Sequence, residues 1–168
     1  MKISDLEKKV TLEMEQYFNQ HPEHIEHTKK VLGYARQIMK EEGGDREVII
    51  ASALLHDIGL LKSMEKHNSY AGKYQQIEGP PVARKILEEA GASQDLISEV
   101  CDIVGSHHTR GVIDTINFHV IWDADWLVNF ATHYSQKDDE KKKELIEKLF
   151  ITETGNKLAR QIYLGEDR

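Results

Sequence analysis

The stretch Ala53-Leu54-Leu55-His56-Asp57-Ile58-Gly59 interrupts the longest apolar run of the chain, Val48 to Leu61, with a histidine and an aspartate. Asp45 can cap a helix that runs through Asp57 or a little beyond. An ionisable pair at the end of so apolar a helix is stripped of water. A buried carboxylate is costly unless it is paired with a cation or bound to a metal. Two plainer alternatives stand beside that one: a simple His–Asp hydrogen bond, or a helix end that reaches solvent beside Gly59. The dipeptide alone does not choose among them.

Outward from this stretch, helical periodicity dominates. Leu6, Val10, Met14, Tyr17 and Phe18 form one apolar stripe, broken at 19–22. A second helix carries Ile25, Thr28, Val31, Leu32, Ala35, Ile38 and Met39 inward and ends at Gly43-Gly44. Residues 62–79 are polar, hold two glycines and lack a stripe, so they read as a long loop with at most one short helix. Pro80-Pro81 then opens a helix at its first turn, and Gly91 ends it. Ser93 caps the next helix, with Leu96, Val100, Ile103 and Val104 inward and His107-His108 at its end. After a loop at 109–114, a helix from about Thr115 to Ala131 follows, with Trp122 and Trp126 as core residues. Charged helices near 138–149 and 153–164 close the chain. No strand-type alternation, repeat or low-complexity tract is present. The expectation is an all-α fold with a single domain over 1–168.

Two further helices carry candidate ligands on apolar faces. His27 has Val31, Tyr34 and Ile38 at its following turns, and Asp125 has Ile121, Trp122 and Val128 as neighbours. Each alone reads as readily as an ordinary core residue. Two histidines and two carboxylates on three apolar faces are harder to explain separately, and one cation explains all four. Imidazole with carboxylate suits Mn, Fe, Co, Ni, Zn or Mg. His24 competes with His27 for the first position, and Asp123 with Asp125 for the last.

The strings HTKKVLGYA, ALLHDIG and WDADWL, in that order, resemble the HD-domain superfamily of metal-dependent phosphohydrolases. The resemblance spans about residues 22–131, outside which lie the charged C-terminal helices at about 137–164. It implies an HD-domain-like helical bundle, a divalent metal held by His27, His56, Asp57 and Asp125, and hydrolysis of a phosphoester by metal-activated water. Asp57 would also orient or deprotonate that water. It favours His27 over His24, because a basic residue and Val follow at Lys30-Val31. It likewise favours Asp125, which directly precedes Trp126-Leu127. Nucleoside monophosphatases of the family commonly place an acid four positions after the HD histidine; here that position is the apolar Leu60.

His107 and His108 are expected to face the site and bind a substrate phosphate, or to stay at the surface. Lys73, beside Gly72, is expected to contact a phosphate as a point charge. Glu78 could join His107 at a second metal. His67, His119, His133 and Arg84 read as structural or surface residues.

The net charge of −7 argues against a nucleic-acid polymer as partner. It leaves room for a small phosphorylated substrate, including a nucleotide. A single cysteine, Cys101, suits a reducing cytoplasm. The N-terminus has no secretory core, and no segment is apolar enough to span a membrane. The apolar N-terminal stripe leaves two options, packing on its own core or in a homo-oligomer. Two rival functions remain: a non-catalytic metal- or nucleotide-binding regulatory module, and a di-iron oxygenase on the same scaffold.

Overall fold

The computed structural model describes residues 3–166. The expected domain over 1–168 therefore includes four residues, two at each end, outside the described part. Among the described residues there are helices and no strands. The helices are α1 (Asp5–Tyr17), α2 (Pro22–Glu42), α3 (Arg46–Leu55), α4 (Leu60–His67), α5 (Gly72–Ala90), α6 (Gln94–Val104), α7 (Ile116–Tyr134), α8 (Asp139–Leu149) and α9 (Glu153–Leu164).

Their starts follow local chemistry. Ser4, Asp45, Ser93, Thr115, Asp138 and Thr152 each accept a hydrogen bond from a first-turn backbone N–H. Helix α3 is the axis of the molecule. All eight residues from Val48 to Leu55 are buried, so it is covered on every side, by α1, α2, α6 and α7. The N-terminal stripe packs on this same core: Val10, Met14 and Phe18 are wholly buried. Trp122 lies in the core and its Nε1 donates to the Leu149 carbonyl.

Sequence patterning hid one member of this assembly. Glu7 is only 5% exposed and holds Arg36 on α2 and Arg46 at the start of α3. Its carboxylate ties three helices together. Because both guanidiniums keep access to water, Glu7→Gln should cost about 2 kcal/mol rather than the larger penalty of a fully enclosed pair. Urea denaturation measures it.

The stretch 62–79 is not a long loop. It contains most of α4, a short turn through the left-handed Asn68 (φ 49°), and the first two turns of α5. Pro80 and Pro81 do not open α5 but lie inside it. The stripe is missing because polar groups face inward and find partners there. Ser63 donates to the Ser69 carbonyl, Gln75 to the Tyr70 carbonyl, and Glu78 accepts from Lys66 and His67. Helix α3 also stops earlier than expected, at Leu55. The chain then tightens through i→i+3 bonds, Ile58 N–H to Leu55 and Leu60 N–H to Asp57, before α4. Helix α7 runs three residues past Ala131, where Tyr134 packs on Trp126 and Phe130.

Gly59 allows this turn to meet α5. A Cβ there would stand 2.6 Å from the Gln75 carbonyl and 2.7 Å from the Gly79 nitrogen. No helix among the described residues is long and apolar enough to cross a membrane.

Candidate metal centre

Three helices deliver four side chains to one point. His27 comes from the second turn of α2, His56 and Asp57 from the turn after α3, and Asp125 from the middle of α7. His27 Nε2 lies 3.1 Å from Asp125 Oδ1, 3.3 Å from Asp57 Oδ2 and 3.3 Å from His56 Nε2. His56 Nε2 lies 3.3 Å from Asp57 Oδ2 and 3.4 Å from Asp125 Oδ1.

The backbone fixes how these groups present themselves. His56 Nδ1 is 2.8 Å from the Ala53 carbonyl, an oxygen that only accepts, so Nδ1 carries a proton and Nε2 is the nitrogen turned to the centre, free to take either a proton or a metal. His107, at the end of α6, repeats the device: its Nδ1 donates to the Val104 carbonyl at 2.8 Å. Its Nε2 faces Asp57 Oδ1 at 3.3 Å. Each ring thus satisfies a carbonyl that the helix end leaves open. Asn129, one turn beyond Asp125, donates to Asp125 Oδ1 at 2.9 Å.

Burial alone would discharge all these groups. Burial pushes His27 down, but hydrogen bonds to Asp125 and Asp57 outweigh it and raise the ring to about 9. His56 is also raised, burial again being outweighed by Asp57 and Asp125. Burial pushes Asp57 and Asp125 up, and the neighbouring imidazoles bring both well below the usual carboxylate range. The donor set therefore demands positive charge. With no cation bound, protons supply it, and a divalent metal with imidazole and carboxylate ligands fits the same demand.

A pH dependence follows. Stability from the raised His27 is fully present below its ordinary value of 6.5 and is lost as pH rises through about 9. Stability from the depressed carboxylates is lost as pH falls below their ordinary range. Metal-stripped protein should therefore melt highest between roughly pH 4 and 6.5, and metal loading should flatten the alkaline loss. Thermal melts with and without metal from about pH 3 to about pH 10 check this.

The competing residues lie elsewhere. His24 packs on Phe18 and His21, with its Nε2 3.8 Å from Glu23. That His21–Glu23–His24 group could hold an ion, but it sits at the start of α2, where the helix dipole opposes a cation. Asp123 is wholly buried and accepts from the backbone N–H of Ile151 and Thr152 and from the Thr152 hydroxyl. Burial pushes its carboxyl up to about 6 against those donors. Asp123→Ala should thus cost about 2–3 kcal/mol, from buried donors left unpaired. It should leave the metal content intact, whereas Asp125→Ala should lose metal. Denaturation and metal analysis of the two variants separate these roles.

The remaining candidates divide. His107 reaches the centre, and a ring nitrogen of His108 lies within 4.8 Å of the donor atoms of Asp57 and His107. Lys73 is exposed, its ammonium 4.7 Å from the centroid of the Tyr74 ring. Glu78 is engaged by Lys66 at 2.8 Å and His67 at 2.9 Å, so it does not join His107. Asn129 was legible in principle, as an i+4 partner of Asp125. Gln75 and Gln76, which hold the His107-His108 turn, lay in the segment that reads as loop.

The sequence pattern of the HD domain family matches residues 24–151. This chain belongs to the HD domain family. The match spans most of the chain and includes all four converging residues. A crystal structure of a predicted HD superfamily hydrolase from an uncultured Thermotogales bacterium is similar to it, with a TM-score of 0.69 and 25% identity. That similarity covers 94% of this chain and 85% of the other. Among curated proteins, none matches the sequence. HD domains bind divalent metals, and the His/Asp group of this HD domain could hold one.

Proposed function

We propose that this HD domain is a metal-dependent phosphohydrolase acting on a small phosphoester, a nucleotide among the candidates, with His27, His56, Asp57 and Asp125 as metal ligands. One observation carries the reading: the Nε2 atoms of two imidazoles each lie within 3.4 Å of both carboxylates, with His56 Nε2 turned to the centre by the bond of Nδ1 to Ala53. Held by these four residues, a divalent ion would supply polarisation of a phosphoryl oxygen and a lowered pKa for a bound water. The chain's own part is to orient. Asp57 offers Oδ2 to His27 and His56 and turns Oδ1 outward to His107, a position from which it can align a nucleophilic water.

The negative net charge favours a small substrate over a nucleic-acid polymer. Leu60 is buried at the start of α4, so any acid for the leaving group comes from another residue. A second reading draws on His107: with Nδ1 held by the Val104 carbonyl and Nε2 beside Asp57 Oδ1, these two residues would suit a second cation, which is also what a di-iron enzyme needs.

The test is metal-stripped protein reconstituted separately with Mn, Fe, Co, Ni, Zn or Mg and assayed against a phosphoester panel. Turnover with at least one metal is expected. Tight retention of a nucleotide without turnover would favour a regulatory binding module instead.

A further inference from the structure

His108 is held by the first turns of α5, and the way it is held decides which nitrogen it offers. Gln75, 7% exposed, donates its amide Nε2 to the Tyr70 carbonyl at 2.6 Å. A carbonyl only accepts, so the amide cannot be reversed without setting two oxygens against each other. The Gln75 oxygen must then face His108 Nε2, which it does at 3.0 Å. An oxygen there requires a proton on His108 Nε2, and a neutral ring protonated at Nε2 is bare at Nδ1.

Two neighbours complete the seat. Gln76 Oε1 accepts from the His108 backbone N–H at 2.9 Å and from the Thr109 hydroxyl at 3.1 Å. Gly72 lies against the ring, where a Cβ would stand 2.8 Å from His108 Cγ. The same turn carries His107, whose ring centroid is 4.0 Å from that of His108 and whose Nε2 faces Asp57.

We propose that Gln75 sets the tautomer of His108, so that the ring meets the centre with an acceptor, Nδ1, rather than a donor, and that Gln75 and Gln76 are positioning residues for the 106–109 turn. His108 then accepts a hydrogen bond from a bound water or substrate hydroxyl. It does not donate one to a phosphoryl oxygen, the role expected of it from the sequence. The part of Gln75 in turnover rests on the phosphohydrolase reading; the tautomer does not.

Long-range proton–nitrogen NMR spectra of the zinc-loaded, nitrogen-15-labelled full chain test this, with His108→Gln identifying the ring. His108 should carry its proton on Nε2. Gln75→Lys, which offers only donors, should move that proton to Nδ1. It should also lower kcat roughly 10- to 100-fold with KM and metal content unchanged. Gln75→Glu, still an acceptor, should keep the native tautomer and recover most of the rate. A wild-type ring protonated on Nδ1 overturns the proposal, whether or not the variants fold. So does Gln75→Lys with tautomer and kcat both unchanged, and a moved proton with unchanged kcat overturns the role in turnover. If the wild type hydrolyses no phosphoester, the phosphohydrolase reading falls while the spectrum still decides the tautomer.

Discussion

Asp57→Ala should lower kcat/KM by at least ~1000-fold at saturating metal, about 4 kcal/mol in the barrier. Asp57 is the residue that all three imidazoles at the centre share. Its Oδ2 lies 3.3 Å from both His27 and His56, and its Oδ1 lies 3.3 Å from His107. Alanine removes a proposed metal ligand and the anion that faces three imidazoles at once. Asp57→Asn keeps the shape and removes the charge, so an equally severe loss there assigns the effect to charge rather than packing. Steady-state kinetics on both variants, with circular dichroism to confirm the helices, makes the comparison. Retention of a tenth of the wild-type rate by Asp57→Ala would contradict the role.

Gly59→Ala should cost about 3 kcal/mol, the upper part of the range for overpacking. The added Cβ would meet the Gln75 carbonyl at 2.6 Å, the Gly79 nitrogen at 2.7 Å and the Gly79 Cα at 2.9 Å. All three are backbone atoms of α5, so no side chain can swing aside. Nor can α5 simply retreat, because a Cβ at Gly79 would itself stand 2.7 Å from Val104 Cγ1 on α6. Relief must therefore come from the 56–59 turn, which carries His56 and Asp57, and metal affinity should fall with stability. Gly33 is the control. It lies in α2 with nothing within 4 Å of its missing Cβ, so Gly33→Ala should stabilise the protein by about 1 kcal/mol. Urea midpoints of the two variants should move in opposite directions.

The all-α fold was legible because its helices alternate apolar and polar residues at helical spacing and carry recognisable caps. Asp45 and Ser93, read as caps, both act as side-chain caps in the structure. The 62–79 segment was not legible, for a physical reason. It buries Ser63, Gln75 and Glu78, whose partners lie from five to 33 residues away, so no apolar period marks its inward face. Pro80-Pro81 reinforced the misreading, since proline favours a helix start; here both sit within α5. At the site, the four converging residues stood out as ionisable groups on apolar faces. The choice between Asp123 and Asp125 did not, because both face inward. What separates them is the 150–152 turn that Asp123 holds, a contact 28 or 29 residues distant in sequence. The seat of His108 was invisible for the same reason as the first two turns of α5.

The most direct measurement is elemental analysis of protein purified without chelator or affinity-tag metal, with divalent ions counted per chain. It would be made for the wild type and for His27, His56, Asp57 and Asp125 each replaced by alanine, with His24→Ala and Asp123→Ala as controls. The expected result is at least about one ion per wild-type chain, retained in both controls and lost in each of the four variants. A wild type that takes up no metal, even after reconstitution with Mn, Fe, Co, Ni or Zn, would contradict the centre and the hydrolysis built on it.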